Sequence, residues 1–261
     1  MTGRVRARDA TRAICTGRRF IVARLEEHAM MNANDRFQCY AQKIVALHNS
    51  EGHREMLSRL GASAEARPVS MEALFRSLTL EQHFELFQRQ NRLAEDLYRR
   101  HAVKFSINVD NSLVDDPGYR ARFLEEVASG PAPTIYEFTE IRPMPPPEVM
   151  NPVFRRLREL GKTSALDDFG TGFNGMTLFV DYDFDIVKVD RSLIANIGLR
   201  PEKAKVLSLL SEMIRALGKS HIVEGVETRE ELEALESMGF DRFQGYYFHK
   251  PELIEQLEAL K

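Results

Sequence analysis

Short runs rich in β-branched and aromatic residues recur along the chain, and between them lie longer runs with apolar residues three and four apart. The short runs predict strands at Phe37–Leu47, Glu55–Leu60, Lys104–Val109, Thr134–Thr139, Thr163–Asp168, Ile186–Val189, His221–Glu224 and Phe243–Phe248. The longer runs predict helices at Ala23–Asn34, Ser70–Arg99, Ser112–Ser129, Pro147–Leu160, Pro201–Leu217, Arg229–Met238 and Glu252–Leu260. The Ser70–Arg99 run is long enough to hold two. Such alternation calls for parallel strands joined by crossover helices, an α/β fold. About eight units in roughly 250 residues is the size of a (β/α)8, TIM-like barrel. A doubly wound open sheet is the alternative.

The 261 residues suit one large domain, and 43% hydrophobic residues suffice for its core. A net charge of −3 speaks against broad binding to a nucleic-acid polymer. Cys15 and Cys39 have neither metal-ligand spacing nor the makings of a disulfide framework, so a reducing, cytoplasmic setting is expected. No apolar run approaches the roughly 20 residues of a membrane span. The start, MTGRVRARDATRAICTGRRF, is arginine-rich but has no apolar centre, so it is not a secretory signal. We set residues 1–24 apart as a basic tail: a transit peptide, a surface for an acidic partner, or a loosely docked terminus.

The segment ALDDFGTGF, from Ala165 to Phe173, puts two adjacent aspartates at the end of an apolar run. Two ionised neighbours repel, and a cation would relieve that repulsion. In a barrel, active residues gather at the C-terminal ends of the strands. Those ends carry Glu55, Asn108, Glu137, Asp167 with Asp168, Lys188, Glu224 and Gln244. A single carboxylate in such a place is ordinarily a solvated surface group. A whole set at one mouth needs positive charge, and oxygen-only ligands favour magnesium or manganese over zinc. The aspartate pair suits a bridged site with two metals about 4 Å apart. Gly170 and Gly172 let the next loop turn close by. Strand parity puts Arg59 on the face of Glu55, where a guanidinium can hold a phosphate oxygen.

Eight segments, QKI, EMLSRL, INVD, YEFTE, DDFGTGFNGM, VKVDRSLI, VEGVET and QGYYFHKP, follow one another between about Phe37 and Pro251. In that order they resemble the EAL-domain cyclic di-GMP phosphodiesterases. Literal EAL triplets stand at Glu72–Leu74, Glu233–Leu235 and Glu258–Leu260, all in helical patterns. The position matching the family motif is instead Glu55–Leu57, written EML. Lys43 stands where the family has proline, Met56 where it has alanine, and Asn174–Gly175 where it has a serine pair.

The resemblance implies an EAL-type barrel spanning 25–261 that opens cyclic di-GMP to linear pGpG with two magnesium or manganese ions. It implies that Glu55, Asn108, Glu137 and Asp167 hold one metal, with Asp167 bridging to a second helped by Asp168 and Glu224. Lys188 would touch the attacking water or the phosphate, and Glu224 is either metal ligand or general base. Gln42, Arg59 and Gln244 are implied at the substrate. Glu140 and Glu227 are implied as supports, Glu140 anchoring the loop after the aspartates. A homodimer is expected on the same basis. The rivals are a catalytically silent cyclic di-GMP receptor or interaction module, and a barrel hydrolase for another phosphoester.

Overall fold

The structure, a computed structural model, describes residues 37–48, 52–60, 71–139, 143–171 and 175–257. The basic tail, the expected Ala23–Asn34 helix, Glu140, Gly172 and the Glu258–Leu260 triplet lie outside the described residues.

Eight strands close a barrel: β1 (Phe37–Ala46), β2 (His53–Leu60), β3 (Phe105–Val109), β4 (Ile135–Thr139), β5 (Thr163–Phe169), β6 (Ile186–Val189), β7 (Ser220–Val223) and β8 (Arg242–Phe243). The order runs from β2 through β8 to β1, and β1 pairs back onto β2. A short β9 (Glu252–Leu253) adds to β1. Strands β2 to β8 are mutually parallel. The first strand departs from the all-parallel expectation: β1 runs antiparallel to both β2 and β8. Only a short segment separates β1 from β2, too short for the crossover that a parallel pair requires.

Around the barrel lie α1 (Met71–Ser77), α2 (Leu80–His101), α3 (Ser112–Asp115), α4 (Pro117–Val127), α5 (Pro147–Glu159), α6 (Leu178–Asp181), α7 (Arg191–Ile194), α8 (Pro201–Ala216), α9 (Arg229–Ser237) and α10 (Ile254–Leu257). The Ser70–Arg99 run divides at Thr79. Its hydroxyl accepts from the Gln82 amide while the Gln82 side chain accepts from the Thr79 amide, so a new helix is capped there. Outward strand residues such as Met56, Ile107, Tyr136, Phe138, Leu166 and Val187 pack with helix residues such as Phe87, Phe123, Phe154 and Ile214 in the main core.

The inward residues form layers. Ile44, Ala165, Ile186 and Ile222, with Ile135 against them, make an apolar cluster. Two residues further on stand Glu137 on β4, Asp167 on β5, Lys188 on β6 and, just past the end of β7, Glu224. A strand returns to the same face every second residue, so each polar group sits one layer above an apolar one. Because β1 runs the other way, its contribution to the upper layer, Gln42, stands two residues before Ile44. The antiparallel register sets Gln42 directly opposite Glu55.

Candidate active site

Lys188, 1% exposed, occupies the centre of this upper layer. Its Nζ lies 2.8 Å from Glu137 Oε2, 2.8 Å from Asp167 Oδ1, 2.8 Å from Glu224 Oε1 and 3.6 Å from Glu55 Oε2. Burial opposes its charge, but the surrounding carboxylates win and hold its pKa well above the ordinary lysine value.

The carboxylates divide into two kinds. Burial pushes Glu137 up to about 8 and Asp168 up to about 7, with neighbouring carboxylates adding to the rise. Asp167 and Glu224 are raised for the same first reason, against the pull of Lys188. Glu55 goes the other way. Burial would raise it too, but Lys188 and the amides of Gln244 and Asn108 outweigh the cost and lower it. Asn108 Nδ2 donates to Glu55 Oε1 at 2.9 Å, and Gln244 Nε2 donates to Glu55 Oε2 at 2.6 Å. In the layer below, burial and then Lys188 hold His53 down at about 3, so it is neutral.

The adjacent aspartates reach the same mouth through a break in strand geometry. Successive side chains on a regular strand face opposite ways. Between Leu166 and Phe169 the register with β6 shifts, and Asp168 takes a left-handed φ of 58°. Aspartate is one of the few residues that tolerate this conformation, and the bulge re-aims its side chain. Asp167, Asp168 and Glu224 each present an oxygen within 4.8 Å of one another. Glu137 Oε1 is buried with no hydrogen-bond partner among the described residues. One ammonium cannot neutralise five crowded carboxyl groups, so the set must hold protons or take up cations. An oxygen-only donor set fits hard divalent cations.

Two cavities flank the charged centre. One, of about 280 Å³, runs from Glu55, Asn108 and Asp167 outward between β2 and the helices α1 and α2, where Phe75, His83 and Leu86 wall it. Arg59 stands on its rim, exposed, and donates to the Ser58 carbonyl. The other, of about 330 Å³, is bounded by Glu224, Gln244, Asp190, Arg191, Glu227 and Tyr246. Glu227 pairs with Arg191 at 2.7 Å, and the same guanidinium donates to the Gly225 carbonyl, so the pair braces the turn that carries Glu224.

The structure thus gathers Glu55, Asn108, Glu137, Asp167, Asp168, Lys188, Glu224 and Gln244 in one place. Gln42 is buried and bonded to Gln244 and to the His249 carbonyl. Glu140 lies outside the described residues. Sequence reasoning passed over Phe75 and His83 of the first cavity. Their only signal was a histidine on the apolar face of a long helical run, ordinarily a packing feature.

Compared with known protein families, the chain matches the EAL domain over residues 25–251. The chain belongs to the EAL domain family. Among relatives of this EAL domain, it is 37% identical over 117 residues to the probable cyclic di-GMP phosphodiesterase PdeG of Escherichia coli (strain K12), covering 45% of this chain and 23% of that protein. It is 28% identical over 251 residues to the cyclic di-GMP phosphodiesterase PdeF of the same organism, covering 89% of this chain and 33% of that protein. The chain therefore spans a third or less of the length of these relatives. Among solved structures it resembles Klebsiella pneumoniae BlrP1 in its manganese/cy-diGMP complex, with a TM-score of 0.69, 26% identity, and coverage of 84% of this chain and 56% of that one. No helix among the described residues is long and apolar enough to cross a membrane.

Proposed function

We propose that this EAL domain hydrolyses cyclic di-GMP to linear pGpG with two divalent cations, magnesium or manganese. The carrying observation is the set of Glu55, Glu137, Asp167, Asp168 and Glu224 crowded at one barrel mouth around Lys188. The names of the relatives supply the substrate class.

Glu55, Asn108, Glu137, Asp167, Asp168 and Glu224 would hold the cations. Glu224 is assigned to this duty rather than to that of a free base, because one of its oxygens lies within 4.8 Å of oxygens of Asp167 and Asp168. When bound, such cations lower the pKa of a nearby water and offset charge on phosphate oxygens. The chain's own groups do the rest. Lys188 keeps the carboxylates converged and presents a fixed positive charge to the phosphate. Arg59 offers a guanidinium at the rim for a non-reacting phosphate oxygen. The flanking cavities leave room for one guanine on each side of the reacting diester. Water adds to phosphorus, the P–O3′ bond breaks, the 5′-phosphate stays on the product, and the released 3′-oxygen takes up a proton.

A second copy of the chain is the expected partner. Val206 and Leu209 on α8, and Leu217 at its C-terminal cap, are exposed, with Lys205 and Glu212 beside the first two on α8. In an antiparallel pair of α8 helices crossing near Leu209, Lys205 of one copy lies beside Glu212 of the other, a self-complementary match.

Incubation with cyclic di-GMP and manganese, beside a simple linear phosphodiester, tests the proposal. Selective conversion of the cyclic dinucleotide, stopped by chelation, is expected. Binding without turnover would favour the receptor reading, and equal turnover of the linear diester a broad phosphoesterase.

A further inference from the structure

A third cavity, of about 420 Å³, opens at the end of the barrel opposite the charged mouth. It is bounded by the end of α8, the start of β7, the turn from α9 into β8 and the turn that follows β1. The first strand contributes here because it runs antiparallel to its neighbours, so its far end meets their near ends. The Leu47 amide fastens that end by donating to the Asp241 carbonyl at 3.0 Å.

Arg215, Lys219 and Arg242 bring positive charge to its wall. Lys219 spends its ammonium on the Phe184 carbonyl at 2.7 Å and the Tyr182 carbonyl at 3.3 Å. The two arginines spend nothing: neither guanidinium makes a hydrogen bond or an ion pair with the described residues. Glu236 and Asp241 line the same cavity, yet neither pairs with them. Both guanidiniums are nevertheless placed. That of Arg215 lies on Gly239, whose φ is 87° and where a Cβ would stand 2.7 Å from Nη1. Arg242 is half-buried and stands two residues before Gln244, on the inner face of β8. Both act on one ring. Burial first, and then the Arg242 and Arg215 charges against the pull of Asp241, hold His221 down at about 4. Its Nε2 accepts from the Asp241 amide, so the neutral ring carries its hydrogen on Nδ1, which is buried with no partner among the described residues. The Ser220 hydroxyl on the same wall also has no partner among them.

We propose that this cavity is a second binding site of the domain, one that takes the phosphate group of a small phosphorylated molecule between Arg215 and Arg242. Two unpaired guanidiniums repel each other, and an anion held between them relieves that repulsion. Each presents paired N–H donors that match two oxygens of a phosphate. The Ser220 hydroxyl serves a further oxygen, and Lys219 adds charge from the side. The volume falls in the range of small-molecule sites and leaves room beyond the phosphate for an organic part. Glu236 and Asp241 accept from hydroxyl or amine groups there. The site stands apart from the carboxylates of the mouth, so its occupancy needs no divalent cation.

The test is calorimetric titration of the whole 261-residue chain, stripped of divalent cations and in chloride buffer, with inorganic phosphate and with adenosine monophosphate. Wild type should bind one equivalent per chain. Arg215→Met and Arg242→Met should each weaken binding about ten-fold or more, the usual worth of a charge-assisted hydrogen bond. Arg215→Lys, which keeps the charge but loses the fork, should fall between wild type and Arg215→Met. Tighter binding of the nucleotide upholds the site for an organic phosphate, and equal affinity upholds it for the phosphate group alone. Should Arg242→Met not fold, the exposed Arg215 carries the test through its two variants. A wild-type chain that binds neither ligand, or binding that Arg215→Met leaves unchanged, would overturn the inference.

Discussion

Lys188 owes its charge to carboxylates that it in turn keeps converged. Removing one partner of a buried ionic cluster leaves the rest uncompensated, at a cost of about 3–5 kcal/mol. Lys188→Met should therefore melt well below wild type without divalent cation. Manganese should raise its melting temperature more than it raises that of wild type, since cations can take over the neutralising duty. Equal melting temperatures without metal would contradict this account of the centre. His221, on the outer face of β7, titrates for different reasons. Its Nε2 accepts from the Asp241 amide at 3.1 Å, and its ring packs edge-on against Phe240. Burial, helped by Arg242 and Arg215 against the pull of Asp241, holds it down at about 4. The folded chain thus keeps it neutral where the unfolded chain, with an ordinary value of about 6.5, binds a proton. Its contribution is complete above that ordinary value and is lost as pH falls toward 4. Melting curves should show wild type losing more stability between pH 7 and pH 5 than His221→Phe does. Parallel losses would mean that the ring is protonated in the fold.

Strand and helix assignments explain both what the sequence disclosed and what it hid. The literal triplets at Glu72 and Glu233 fall on α1 and α9, whereas the EML segment lies on β2 with Glu55 turned inward. Glu55→Ala should abolish turnover, while Glu72→Ala should leave most of it. A folded Glu72→Ala chain without activity would show the motif misplaced. Period-two alternation was enough to place Glu55, Glu137 and Lys188 on one face, because β2, β4 and β6 are regular. It could not explain Asp167 and Asp168 together, since that depends on a register shift and a positive φ that no local pattern announces. The reversed direction of β1 was likewise hidden, because alternation is the same read either way. The short connection to β2 was the available signal. The division at Thr79 was legible in its T-x-x-Q capping box. The expected strand Phe243–Phe248 shrank to Arg242–Phe243, because Gly245 is drawn against Val226 and the chain turns there.

At the scale of the whole molecule, the barrel separates duties by height: an apolar layer within, and a charged layer above it at the mouth. Exposed apolar residues on α8 sit outside that plan, and a second copy gives them a use. Light scattering should report a dimer for wild type and a monomer for Leu209→Glu. Lys205→Glu and Glu212→Lys should each weaken the dimer, and their combination should restore it. A wild-type monomer, or a double variant no better than either single, would remove α8 as the contact. The central claim is hydrolysis of the cyclic dinucleotide at this mouth, and the most direct measurement is mass spectrometry of products formed in ¹⁸O-water with manganese. The account predicts pGpG carrying one ¹⁸O on its 5′-phosphate, absent after chelation and absent in Glu55→Ala. Cyclic di-GMP recovered intact by a folded, manganese-loaded chain would contradict it.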